Sequence, residues 1–256
     1  MTKNFYRNEF VNFRHKLKFG ERFALTYLEQ KKVNDLRVNG FTTIESNYTD
    51  AEIQELTAYI DHSFLKQESK IWVDKQKADY RLFGVEKRHS LIERFQKLDS
   101  IFKILDTYTG IKASAVHTMM GRIEAKPDNL GSGGGWHRDT PEFNQVKSIL
   151  YLSNVDESKG PFQYLAKTHK RSSYKKVSSI TSKPWFDFRY TDQDIDLLTD
   201  AGYKMHTLTA SKGTILLADT SGIHRGMPIL KGNRYALTNY IWNQRPVPEH
   251  IAQNLV

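Results

Sequence analysis

The sequence predicts a mainly β protein, a barrel or sandwich of short antiparallel strands with a ligand cavity inside and helices packed on its outside. Three observations carry that expectation. Up to about residue 110 the apolar residues recur at helical spacing between capping signals, whereas from Lys112 onward they alternate with period two. Gly, Pro, Asn, Asp and Ser punctuate the second half so often that each alternating run has only strand length. No repeat or low-complexity tract interrupts the pattern. The simplest organisation is one domain over 1–256, with a mainly helical flank at 1–110, a β core at 111–245 and a C-terminal tail at 246–256.

Taken in order, residues 1–30 are basic and aromatic. Phe5, Phe10, Phe13, Leu17 and Phe23 lie at loosely helical spacing with Lys16, Lys18 and Arg22 between them, which predicts an amphipathic helix serving as a packed flank. Val33 to Asn39 reads as a short helix stopped by Gly40, and Phe41-Thr42-Thr43-Ile44 as a strand. Thr49-Asp50-Ala51-Glu52 is a capping box whose helix continues through Ile53, Leu56, Ile60 and Phe64. A second box, Ser90-Leu91-Ile92-Glu93, opens a helix through Phe95, Leu98, Ile101, Phe102 and Leu105 that stops near Gly110. Strands are expected at Ala113 to Ala125, Lys147 to Val155, Gly160 to Ala166, Tyr203 to Thr209, Gly213 to Asp219 and Asn233 to Trp242. One helix, Asp192 to Ala201, follows the basic stretch Lys167 to Lys176.

Composition narrows the chemistry. A chain of 256 residues with 39% apolar content suits a soluble globular protein with one sizeable core. No run of about 18 apolar residues could span a bilayer, and no apolar signal-peptide core follows the first residues, so the expected location is cytoplasmic. The absence of cysteine excludes disulfides, thiolate nucleophiles and sulfur-ligated metals, so any metal must be held by nitrogen and oxygen. A net charge of +9 suits an anionic substrate, but a well-solvated basic surface explains it equally well.

Gly135-Trp136-His137-Arg138-Asp139-Thr140 sets a histidine and a carboxylate two residues apart, where an extended backbone turns both to the same side. Alone the pair is weak, since 9 histidines should produce roughly one such pair by accident. Its company strengthens it. Lys212 to Asp219 reads as a buried strand ending close to His224, and Arg234 opens the next apolar run after a Lys231-Gly232-Asn233 turn. Iron(II), manganese or zinc each accept two imidazoles and a carboxylate, and on a single face this set leaves positions open, as in non-haem iron oxygenases. An oxygenase using 2-oxoglutarate needs those positions for the keto acid and for dioxygen. It also needs a cation deep in the barrel for the far carboxylate. Arg234 suits that task because its planar fork grips a carboxylate with two charge-assisted hydrogen bonds and stays charged away from water. Thr238, four residues on and on the same strand face, adds a hydroxyl, and Tyr151 is a further candidate contact, with Met119 beside it as cavity lining.

At these residues the chain resembles the phytanoyl-CoA dioxygenase family of iron(II)- and 2-oxoglutarate-dependent oxygenases. The likeness rests on Trp136-His137-Arg138-Asp139, then Ser148 to Asp156 and Gly160-Pro161-Phe162, then Gly213 to Asp219 running to His224 and Arg234. Val38 to Ile44 and the helix at Asp50 are similar to that family's opening strand and helix. The resemblance implies a double-stranded β-helix, of jelly-roll or cupin-like form. It also implies His137, Asp139 and His224 as iron ligands, Arg234 as the 2-oxoglutarate clamp, and hydroxylation of a small or carrier-linked substrate with release of succinate and CO2. Asp139 points to hydroxylase-type chemistry, because related halogenases carry a small residue there. Two departures stand out: Lys167-Thr168-His169 replaces a common Gly-Ser-His, and Gly226 replaces a small hydroxyl residue two after the distal histidine.

The blander readings are specific too. Gly131-Ser132-Gly133-Gly134-Gly135 lacks the Lys-Ser/Thr of a phosphate-binding loop and is expected to be a flexible lip ahead of the ligands. His117, His169 and His206 are expected to be structural. Lys170, Arg171, Lys175 and Lys176 are candidates to draw in an anionic substrate, against the competing reading of a solvated face. A non-catalytic barrel that binds metal and 2-oxoglutarate as a sensor is the alternative function. Nucleic-acid binding is not expected, because no recognised module is present.

Overall fold

The computed structural model describes residues 24–66, 70–139, 145–243, 247, 249–253 and 255–256. The amphipathic helix expected over Phe5 to Phe23 lies outside these residues. Helix α1 (Tyr27–Asn39) starts earlier than the Val33 expected, at a Thr26–Glu29 capping box. It ends on Gly40 in the left-handed region at φ 94°, where a Cβ would fall 2.3 Å from the Tyr164 hydroxyl. Strand β1 (Phe41–Glu45) and helix α2 (Asp50–Leu65), capped by Thr49 and Glu52, form as expected.

The single helix expected from Ser90 to Gly110 is two, α3 (Ser90–Gln96) and α4 (Asp99–Thr109). His89, not Ser90, is the N-cap, its Nδ1 accepting from the Leu91 amide at 3.2 Å. Leu98 takes an extended backbone at ψ 107° and breaks the run. The break lets Ile92 and Phe95 on one piece and Ile101, Ile104 and Leu105 on the other bury in the same core. Between α2 and α3 lies a hairpin that the helical reading of this region did not anticipate, β2 (Trp72–Val73) and β3 (Asp79–Phe83).

The second half follows the period-two pattern: β4 (Ala113–Glu124), β5 (Val146–Tyr151), β6 (Phe162–Leu165), β7 (Met205–Leu208), β8 (Thr214–Asp219), β9 (His224–Gly226) and β10 (Asn233–Asn243). Strand β5 ends at Tyr151 rather than Val155. The basic stretch from Lys167 opens a helix of its own, α5 (Arg171–Thr181), ahead of the expected α6 (Asp192–Asp200). A short α7 (Glu249–Ala252) closes the chain.

The strands form two antiparallel sheets, a large one in the order β1-β8-β5-β10-β4-β3-β2 and a small one in the order β7-β6-β9. Together they make a jelly-roll. Strand parity divides the large sheet cleanly. Leu82, Met120, Val146, Leu150, Ile215, Leu217, Leu237 and Ile241 point outward and pack against α2, α3 and α4. The other parity points inward, where Phe41, Tyr151, Leu216 and Ala218 meet Phe162 and Tyr164 of the small sheet. Outside the small sheet, α5 and α6 bury Val177, Ile195 and Leu198 with Trp136 and Ile223. The helical flank therefore holds the large sheet from behind and leaves its inner face for chemistry.

Candidate metal centre

His137 and His224 are brought together by backbone pairing. They form an antiparallel bridge in which each amide donates to the other's carbonyl at 2.9 Å. Their rings lie 4.4 Å apart, centroid to centroid, with Phe162 stacked on His224 at 5.2 Å. The Asp139 amide donates to the Thr220 carbonyl at 3.0 Å, which anchors Asp139 beside the bridged histidines. Ligand atoms of His137, Asp139 and His224 all lie within 4.8 Å of one another. Asp139 Oδ1 is 3.5 Å from His137 Nε2 and 3.9 Å from His224 Nε2.

The tautomers follow from the partners. His137 Nδ1 is 2.8 Å from the Gly135 carbonyl and His224 Nδ1 is 2.9 Å from the Gly222 carbonyl. A carbonyl only accepts, so each Nδ1 donates and each Nε2 lone pair is free for a metal. Burial, with the His137 ring beside it, pushes the His224 imidazole down to about 3 and keeps it neutral. Burial alone would raise the Asp139 carboxyl, but the Lys147 ammonium, with His137 and His224, holds it well below the usual carboxylate range. Two imidazoles and one carboxylate, aimed at a common point, suit a divalent first-row metal.

Arg138, between the two ligands, points the other way into the protein. It donates to the Thr168 carbonyl at 2.7 Å and to the Ser221 carbonyl, and stacks on Tyr174 at 4.1 Å. Thr168 also binds the Ile223 amide at 2.8 Å through its hydroxyl, so the Lys167-Thr168-His169 departure still ties this corner to the strand bearing His224. The glycine run expected as a flexible lip is a pinned turn: Gly226 N donates to the Ser132 carbonyl at 3.1 Å and Arg189 donates to the Gly134 carbonyl at 3.2 Å. Gly133 has to be glycine, since its φ is 86° and a Cβ would stand 2.2 Å from His137 Cε1. Gly226 has a reason as well, because a Cβ there would come within 2.8 Å of Ser132 Cβ and 3.2 Å of Arg234 Nη2.

A cavity of about 160 Å³ opens over these ligands. One water needs only ~10–15 Å³ of such space, so this is built volume rather than a packing defect. Arg234, Thr238 and Tyr151 line it, as does Met119. Arg234 is 6% exposed and donates to the Gly160 carbonyl; no carboxylate among the described residues forms a salt bridge with it. Burial lowers its guanidinium below the usual arginine value and raises the Tyr151 phenol. Lys170, Arg171, Lys175 and Lys176 sit at the start of α5 and are not among the cavity-lining residues. His117 is buried on β4 and stacks on Tyr240, His169 is buried beside Tyr164, and His206 meets Phe41 edge-on; none joins the metal cluster.

Sequence reasoning missed two cations in the cavity, Lys147 and Arg81. Lys147 Nζ lies 2.6 Å from Asp139 Oδ2, and Arg81 pairs with Asp79 and reaches Ser132 Oγ at 3.1 Å. Lys147 shares its strand face with Tyr151, so parity alone could have flagged it once Tyr151 was placed inside. Arg81 lies in the hairpin that was not anticipated.

No curated protein matches the sequence. Among solved structures, the 2-oxoglutarate-dependent carbocyclase SnoK from nogalamycin biosynthesis superposes with a TM-score of 0.66 at 14% identity, covering 90% of this chain and 91% of that one. EctD from S. alaskensis, solved with 2-oxoglutarate and 5-hydroxyectoine, gives 0.62 at 12% identity over 86% of this chain and 78% of its own. A Pseudomonas putida prolyl-4-hydroxylase gives 0.55 at 10% identity over 85% of this chain and 100% of its own. These likenesses establish the shared fold. No helix among the described residues is long and apolar enough to cross a membrane. The family model of phytanoyl-CoA dioxygenase matches residues 36–230, and the chain therefore belongs to the phytanoyl-CoA dioxygenase family of iron- and 2-oxoglutarate-dependent oxygenases.

Proposed function

We propose that this protein is a hydroxylase that binds iron(II) through His137, Asp139 and His224 and uses 2-oxoglutarate to oxidise a small molecule. The observation that carries this reading is the pairing of an open three-donor cluster with a buried arginine, Arg234, that forms no salt bridge with a carboxylate among the described residues. A dicarboxylic keto acid supplies what each lacks. Its far carboxylate neutralises Arg234, with Thr238 and Tyr151 on the adjoining wall, and its keto acid end meets the open face of the cluster. Iron(II) held there supplies the redox chemistry that couples decarboxylation of 2-oxoglutarate to substrate oxidation. The balance is one 2-oxoglutarate, one dioxygen and one substrate C–H giving succinate, CO2 and the alcohol. The residues of this chain supply orientation, an enclosing cavity and the counter-charge.

Asp139 favours hydroxylation over halogenation, because its carboxylate fills the position a halide would need. The cavity volume favours a small molecule or the end of a carrier-linked one. Lys170, Arg171, Lys175 and Lys176 act, in this reading, by long-range attraction of an anionic substrate rather than by contact. Anaerobic titration with iron(II) and then 2-oxoglutarate should develop a weak visible charge-transfer band, and succinate release should rise with one member of a panel of anionic and neutral metabolites. A wild-type protein with no band sinks the proposal. A band with no succinate from any substrate would turn the reading to a 2-oxoglutarate sensor.

A further inference from the structure

The two oxygens of Asp139 have different partners. Oδ1 faces the His137 and His224 Nε2 atoms at 3.5 and 3.9 Å, while Oδ2 is 2.6 Å from the Lys147 ammonium. A lysine that merely stood in for a metal would sit against Oδ1, between the imidazoles. Lys147 instead meets the other oxygen, Oδ2, from β5. Its ammonium also lies over the Tyr240 ring at 4.3 Å, and Tyr240, its cross-strand neighbour, is stacked on His117 at 4.9 Å and 7°. With 11% side-chain exposure, the ammonium is desolvated, which costs several kcal/mol unless a partner compensates it. Desolvation and a fixed aromatic platform together leave the side chain little freedom to be elsewhere.

We infer that Lys147 is a positioning residue that makes Asp139 a one-oxygen ligand, by holding Oδ2 so that Oδ1 alone meets the metal. An octahedral ion has six positions. Two imidazoles and one carboxylate oxygen leave three, the number a chelating keto acid and a further ligand require. A carboxylate gripping through both oxygens would leave two. The lysine thus acts through the carboxylate and reserves space for the co-substrate. This inference rests on the iron and 2-oxoglutarate reading above.

The test uses Mn(II) as the probe in the wild type, K147M and K147R. Water-proton relaxation by bound Mn(II) scales with the number of inner-sphere waters. Wild type and K147R should relax equally, and K147M should lose about a third of the effect as Oδ2 takes one water's place. Binding should split in sign. Mn(II) affinity in K147M should hold or tighten, because a like charge is gone and a second oxygen is gained, whereas 2-oxoglutarate affinity should fall about tenfold or more. A misfolded variant weakens both. The wild type alone gives an independent measurement: a Mn(II)-loaded crystal structure should show Oδ2 on Lys147 and outside the metal's coordination distance. A bidentate Asp139 there, or K147M matching wild type in relaxation and 2-oxoglutarate affinity, overturns the inference while leaving the functional reading intact. A wild type that binds Mn(II) but no 2-oxoglutarate would instead remove the functional reading beneath it.

Discussion

Arg234→Met separates a co-substrate role for this guanidinium from any role in holding the fold, because the two effects differ in sign. Without co-substrate, Arg234 is a buried charge whose hydrogen-bond acceptor is the Gly160 carbonyl, and Asp79 nearby is already engaged with Arg81. Methionine removes a desolvation penalty of several kcal/mol. It also strips the Gly160 carbonyl of a donor, which costs about 1–3 kcal/mol. The protein alone is therefore expected to be as stable as the wild type or slightly more so. Binding of 2-oxoglutarate moves the other way. Its far carboxylate would enter a buried site without the Arg234 guanidinium as its partner, Arg81 being already paired with Asp79, a loss of about 3–5 kcal/mol. At about 1.4 kcal/mol per tenfold, that is a factor of roughly 10² to 10³ or more in Kd. The assay is anaerobic calorimetric titration of the iron(II)-loaded protein, paired with thermal melts with and without 2-oxoglutarate. At about 100 times the wild-type Kd, linkage stabilises the wild type by ~2.7 kcal/mol. For a chain of this size that raises Tm by about 5–10 °C, a rise R234M should lack. If R234M binds 2-oxoglutarate within about threefold of the wild type, or melts many degrees lower without it, the reasoning fails.

Two further substitutions probe the frame around the ligands. G133A forces a side chain into a left-handed backbone position and against the His137 ring. It should lower Tm by several degrees and weaken metal affinity by tenfold or more, and unchanged metal affinity would show that His137 is not held by this turn. His117 is 1% exposed, and neither ring nitrogen has a hydrogen-bond partner among the described residues. Burial pushes its imidazole from 6.5 down to about 4, so between those values the unfolded chain binds more protons and stability falls as pH drops. H117F keeps the stack on Tyr240 and removes two unsatisfied nitrogens, so Tm should rise by a few degrees and its acid-side slope should flatten. Melts from about pH 7.5 to pH 5 check this, and an unchanged slope in H117F would contradict it.

Local signals fixed much of what the structure shows. The Thr49–Glu52 capping box, the Gly40 stop and the period-two runs each depend on neighbours within a few residues, and each appears where its residues placed it. The same locality explains the failures. The helix over Ser90 to Gly110 has a continuous apolar spacing, yet it breaks at Leu98 so that both halves reach one core. The β2–β3 hairpin pairs with β4, and that partner decides it more than its own sequence does.

The site divides along the same line. A His-x-Asp on extended backbone, a histidine after a buried strand and an arginine ten residues later were legible from sequence, because parity and type carry their chemistry. Tertiary structure alone decided that His137 pairs backbone to backbone with His224, and that Lys147 grips the far oxygen of Asp139. It also set Arg81 in the same cavity. Those facts follow from the register between strands far apart in sequence, as where Tyr240 of β10 lies opposite Lys147 of β5. A one-residue slip in that register would turn each of these side chains to the opposite face, and no window of sequence contains the information that prevents it.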